Sequence, residues 1–143
     1  MMRIALGSDH AGFGLKQQVM EYLSAESIEH KDFGAFDDKP SDYPDIAKLV
    51  AHAVSTGEFD RGIVLCGTGL GMAMAANKVP GIRAVNCWNE FIAEVSRTHN
   101  DANILALGAR MLASEYAMLI VRRWLETPFS GEERHVRRVE KIG

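Results

Sequence analysis

Gly62-Ile63-Val64-Leu65-Cys66-Gly67-Thr68-Gly69-Leu70-Gly71-Met72 reads as the end of a buried strand, a glycine-built turn and the opening of a helix. Gly62 to Leu65 is a short apolar run with β-branched residues, and Met72 to Lys78 follows a small-residue helical pattern, so Cys66 stands at a strand-to-helix turn. Gly67, Gly69 and Gly71 strip that turn of Cβ atoms at every second position, which lets backbone N–H groups face a ligand at the positive end of the helix. An anion suits such a cradle. A cysteine there is expected to be rich in thiolate and so to serve as base or nucleophile; the alternative is a phosphate-binding turn with an inert, packed thiol. Spacing excludes two nucleotide motifs. A P-loop needs Lys-Ser/Thr after its last glycine where Met72-Ala73 stands, and a dinucleotide fingerprint needs two residues between its second and third glycines where Leu70 stands alone.

Working outward, Arg3 to Ser8 is a first buried strand that runs into Asp9-His10-Ala11-Gly12, and Leu15, Val19, Tyr22 and Leu23 mark one face of the helix beyond. Asp9 and His10 therefore lie in the first βα turn, Asp9 either as a helix cap or as a group turned to a ligand. Ser27 to Phe33 is a weaker strand suited to a sheet edge. Tyr43-Pro44 opens a helix with a stripe of Ile46, Leu49, Val50, Ala53 and Val54, and leaves Tyr43 either packed at the helix start or aiming its hydroxyl at the pocket. Ile82 to Cys87 is a fourth strand, ended by Trp88, which either packs or offers a stacking surface. Asn89 caps a helix expected to bury Phe91, Ile92, Val95 and Thr98. Ile104 to Leu107 is a fifth strand, followed by Gly108-Ala109-Arg110.

Five alternations of strand and helix predict an α/β fold, a Rossmann-like doubly wound five-stranded parallel sheet with helices on both faces and C-terminal helices. All strand ends then share one rim, which gathers Asp9, His10, Cys66 and Arg110. His99 and Asn100 precede a strand, so they fall at the opposite rim: they are structural there, or a second subunit presents them. Ser114 to Leu125 and a helix after Ser130-x-x-Glu133, read as a capping box, complete the chain. Arg134 and Arg138, one turn apart, can converge on a phosphate.

A 143-residue chain that is 47% apolar and 24% charged, without a compositional break, suits one domain over residues 1–143. Its net charge of −3 argues against nucleic acid. No stretch is apolar enough for a membrane span or a secretory leader, so a cytoplasmic protein is expected, with Cys66 and Cys87 as free thiols. His10, His30, His52, His99 and His135 share no ligand spacing, so no metal is expected. A poised thiol, an Asp-His pair, an N–H cradle and several arginines suit a small phosphorylated sugar with an acidic C–H, isomerised through an enediolate without any cofactor.

Gly7-Ser8-Asp9-His10-Ala11-Gly12, Asp42-Tyr43-Pro44, Cys66-Gly67-Thr68-Gly69-Leu70-Gly71, Ala76-Asn77-Lys78, Gly81-Ile82-Arg83-Ala84 and His99-Asn100-Asp101-Ala102-Asn103 together closely resemble the type B ribose-5-phosphate isomerases, a family that includes galactose- and allose-6-phosphate isomerases. The resemblance implies that Cys66 shuttles a proton between C1 and C2, that His99 opens the sugar ring and that Thr68 with nearby N–H groups steadies the enediolate. It further implies substrate contacts at Asp9, His10, Tyr43, Gly67, Thr68, Gly69, Leu70, Gly71, Asn100, Arg110, Arg134 and Arg138, the arginines mainly for phosphate. Members are homodimers or dimers of dimers with shared sites, so a partner can supply His99 and Asn100. One branch carries a glutamate base where Met72 stands, which sides this chain with the thiol branch. An extra residue in Gly131-Glu132-Glu133 bears on the aim of Arg134, and Trp88-Asn89 on substrate choice.

Overall fold

A computed structural model describes residues 1–143. The strands are β1 (Arg3–Ser8), β2 (Glu29–Asp32), β3 (Arg61–Cys66), β4 (Ala84–Asn86) and β5 (Ile104–Gly108). The helices are α1 (Phe13–Ala25), α2 (Tyr43–Ser55), α3 (Leu70–Ala76), α4 (Glu90–Thr98), α5 (Ser114–Glu126) and α6 (Glu133–Ile142). Every strand pair is parallel and the sheet order is β2-β1-β3-β5-β4, a doubly wound α/β sheet as the alternation predicts. From β1 the chain winds to one side and from β3 to the other, so the switch point lies between these two strands, where such sheets collect ligands. Register brings Ser8 opposite Leu65 and Cys66 opposite Gly108, so β1, β3 and β5 end together at the carboxyl edge.

Alternate residues of the strands feed two cores. On one face Ala5, Val64, Cys66, Ile104 and Ala106 pack under α2 and α3; on the other Ile4, Leu6, Ile63, Leu65, Leu105 and Leu107 pack under α1 and α5, with Trp124 fully buried. No helix is long and apolar enough to cross a membrane.

Four local expectations need correction. In α4 the buried residues are Ala93, Ser96 and Arg97, while Phe91 is 70% exposed. Arg97 turns the helix because its guanidinium donates to the carbonyls of Thr127 (3.0 Å) and Ala102 (2.6 Å), pairs with Asp101 and lies over the Trp124 ring. In α2, Leu49 is exposed, and the small Ala47 and Ala51 take the buried positions against the sheet. β4 is only three residues long. Ser130 does not form the capping box: α6 starts at Glu133 after a left-handed Gly131 (φ +71°), and the Ser130 hydroxyl accepts from the Glu132 N–H instead.

The docking of α6 depends on His135, buried and stacked on the His99 ring with centroids 4.2 Å apart. Burial lowers the pKa of His135 below its ordinary 6.5, and the neighbouring His99, Arg134 and Arg138 push the same way against Glu132. Below about pH 6.5 the unfolded chain therefore takes up a proton that the folded chain refuses, so stability is complete above that pH and declines as pH falls. Urea denaturation of the wild type and His135→Phe at pH 7.5 and 5.5 is expected to show a smaller acid loss in the variant. Gly12 packs its bare Cα on β3, where a Cβ would come within 2.6 Å of the Leu65 carbonyl oxygen and 2.7 Å of its carbon. Backbone cannot yield as a side chain can, so Gly12→Ala is expected to cost about 1–3 kcal/mol in the same measurement.

Candidate active site

The site is built where β3 leaves the sheet. Cys66 is 5% exposed, and its Sγ accepts a hydrogen bond from the Gly69 N–H at 3.1 Å. That bond needs the chain to double back within three residues, which Gly69 allows with φ +82°, a region that side chains disfavour. The turn is locked to the exit of β5: Ala109 N–H donates to the Cys66 carbonyl (2.8 Å) and Arg110 N–H to that of Gly67 (3.0 Å). A Cβ on Gly67 would lie 3.2 Å from Arg110 Nη1, so the guanidinium rests over the residue that follows the sulfur. Thr68 is exposed, its hydroxyl accepting from the Leu70 N–H at 3.2 Å.

Asn86 was not anticipated. From the end of β4 its amide donates to the Thr68 carbonyl at 3.2 Å, so the peptide between Thr68 and Gly69 is held at its oxygen by Asn86 and delivers its N–H to the sulfur. The one trace in the sequence is an amide between Val85 and Cys87 in an otherwise apolar strand.

Asp9 and His10 stand beside this turn, just past the end of β1. The Asp9 N–H donates to the Leu65 carbonyl (3.1 Å), and its Oδ1 accepts from the Gly12 N–H (3.0 Å), which closes the turn before α1 but does not cap the helix, whose first flanking residue is Gly12. Its other carboxylate oxygen has no protein donor. His10 Nδ1 accepts from the Ser41 N–H at 3.3 Å. The Tyr43 ring covers Gly71, leaving no room there for a side chain. Leu70 is 55% exposed at the first turn of α3. Trp88 is 60% exposed and lines, with Thr68, Asn86, Met111 and Leu112, a cavity of about 260 Å³ next to the turn, which takes it out of the packed core.

His99, Asn100, Arg134 and Arg138 are at the other edge, as the order of the elements requires. His99 and Asn100 are exposed after α4, ahead of β5, and α6 lies beside them through the stack of His135 on His99. Arg134 is held by Glu132 at 3.0 Å, and Arg138 is exposed one turn further on. β5 alone separates the two groups by roughly 13 Å. The largest cavity, about 520 Å³, belongs to this amino edge, between Lys78, Arg83, Asn100 and Ile142, well away from the sulfur.

Both cysteines are free. Burial drives the Cys87 thiol up to about 11, a hydrogen bond from Ser96 opposing, so it stays protonated at neutral pH and only Cys66 has an amide donor on its sulfur.

The ribose/galactose isomerase family matches residues 4–142. Ribose-5-phosphate isomerase B of Escherichia coli is 46% identical over 142 residues, covering 99% of this chain and 95% of that protein. D-erythrulose-4-phosphate isomerase of Pectobacterium atrosepticum is 41% identical over 145 residues, covering 100% of this chain and 94% of that protein. The structure of ribose-5-phosphate isomerase B from Clostridium thermocellum superposes with a TM-score of 0.97 at 53% identity, covering 99% and 95% of the two chains. With nearly its whole length matched in sequence and in fold, the chain belongs to the ribose/galactose isomerase family.

Proposed function

We propose that this sugar-phosphate isomerase interconverts ribose 5-phosphate and ribulose 5-phosphate, as one domain over residues 1–143, with the Cys66 sulfur as the base and a second copy of the chain completing the site. What supports the base is the 3.1 Å hydrogen bond from Gly69 N–H to Cys66 Sγ, which fixes the sulfur at the switch point of the sheet, where such folds collect ligands. As the bond from C1 to the ring oxygen breaks, the partner subunit's His99 protonates that oxygen and the C1 hydroxyl gives its proton to solvent, which leaves the open aldehyde. Cys66 then takes the C2 proton; the C–H pair becomes the C1–C2 double bond and the carbonyl pair moves onto O1. Donors of the Gly67–Gly71 loop, with Thr68, hold that oxyanion, each worth roughly 3 to 4 kcal/mol. Return of the proton to C1, with transfer of the O2 proton to O1, gives the ketose. Asp9, His10 and Tyr43 contact the sugar, Arg110 and the partner subunit's Asn100, Arg134 and Arg138 hold its far end and phosphate, and no step calls for a cofactor.

A second copy is invoked because His99, Asn100, Arg134 and Arg138 are exposed at the edge away from Cys66. α3 runs from one edge toward the other and leaves Leu70 and Met74 exposed, with Leu49 exposed on the adjoining α2. Two copies packed antiparallel along this face exchange their edges, and a two-fold repeats the exchange.

A four-carbon substrate is the competing reading, favoured by the 41% identity to an erythrulose-phosphate isomerase. Comparing kcat/KM for ribose 5-phosphate, allose 6-phosphate and erythrulose 4-phosphate decides it, with the pentose expected first. Cys66→Ser is expected to lower kcat by about 10²- to 10⁴-fold and to abolish solvent-deuterium incorporation at C2, read by NMR in ²H₂O. Near-wild-type turnover in that variant would remove the base.

A further inference from the structure

Lys16 has no part in the scheme above, yet its side chain is wholly enclosed. A lysine is rarely buried without partners, and this one has several. Its Nζ donates to Asp32 Oδ1 at 2.8 Å and to the Ala35 carbonyl, and the Phe13 and Phe36 rings flank it at 5.3 and 5.8 Å. The same Asp32 oxygen accepts from the Gly34 N–H (2.9 Å), while the Gly34 carbonyl accepts from the Ser8 N–H at the end of β1 (2.6 Å). Lys16 thus binds the start of the 34–42 loop to α1, β2 and the carboxyl edge of the sheet. The far end of the loop reaches the site: Ser41 N–H donates to His10 Nδ1, and Tyr43 covers Gly71 two residues later.

A backbone N–H can only donate, so His10 Nδ1 must carry the lone pair, and the neutral ring keeps its proton on Nε2. We infer that Lys16 is a positioning residue: by anchoring the 34–42 loop it sets Ser41 on His10, and thereby the tautomer and aim of the imidazole that meets the sugar phosphate. The inference rests on the reading that His10 contacts substrate. Without the ammonium, the Asp32 carboxylate loses its charge partner and the Ala35 carbonyl its donor, and nothing else in α1 replaces them.

The test compares wild type, Lys16→Met and Ser41→Pro in the full chain. Ser41→Pro leaves Lys16 in place and removes the N–H on His10, together with the Ser41 hydroxyl. ¹⁵N NMR of the free protein is expected to show a single Nε2-protonated His10 in the wild type and a mixture of tautomers in both variants. KM is expected to rise about 5-fold or more with kcat changed less than about 2-fold, the pattern of lost binding. A folded Lys16→Met protein that keeps the Nε2 tautomer overturns the inference. So does an unchanged His10 spectrum in Ser41→Pro, even if Lys16→Met does not fold. If the tautomer shifts in both variants and KM does not, the link from Lys16 to His10 stands and the placement of His10 in the substrate site falls.

Discussion

Five strands that all run the same way give this molecule two chemically unlike edges, and every functional assignment depends on that constraint. At the carboxyl edge the chain leaves β1, β3 and β5 into turns, so Asp9, His10, Cys66 and Arg110 meet without any long-range search. At the amino edge the chain returns from α4, and His99 and Asn100 are exposed there with α6 beside them. A parallel strand cannot bring its two ends together. The group proposed to open the ring and the group proposed to move the proton therefore stand apart in one chain, and only a neighbour that presents its amino edge can join them.

At the carboxyl edge the candidate site is built from backbone more than from side chains. Gly69 turns left-handed, its N–H reaches the sulfur, and the oxygen of the same peptide is fixed by Asn86. Glycine is required near that peptide for a second reason: Gly108 lies under the Thr68 backbone and Gly71 under the Tyr43 ring, so a Cβ at either would collide with its neighbour, while one at Gly67 would press only on the movable end of Arg110. Steric exclusion and hydrogen bonding act on the same few residues, which is why the turn is so dense in glycine.

Much of this was legible in the sequence because it is local. The apolar run to Leu65, the alternate glycines and the small-residue helix give strand, turn and helix in order, whereas Asp9, expected either as a helix cap or as a group turned to a ligand, closes the turn ahead of α1 and leaves Gly12 as the residue at the helix start. The opposite placement of His99 also follows from counting elements. What escaped was decided by tertiary partners. The inward face of α4 is set by Arg97, whose acceptors at Ala102 and Thr127 are remote from a helical stripe, so the exposed Phe91 was expected inside. No sequence pattern singles out Lys16, because its partners Asp32 and Ala35 come from β2 and the loop after it. Asn86 had no pattern to announce it, since its partner is a carbonyl eighteen positions away.

The central claim is that each catalytic site takes its proton-transfer sulfur from one chain and its ring-opening imidazole from another. Complementation measures this directly: Cys66→Ala and His99→Asn proteins, each inactive alone, are mixed in equal amounts, dissociated and reassembled. Hybrid dimers then carry one site with both native residues, and random pairing predicts recovery of about a quarter of wild-type activity. No recovery in mixtures shown to contain hybrids would contradict the account and return both residues to separate roles.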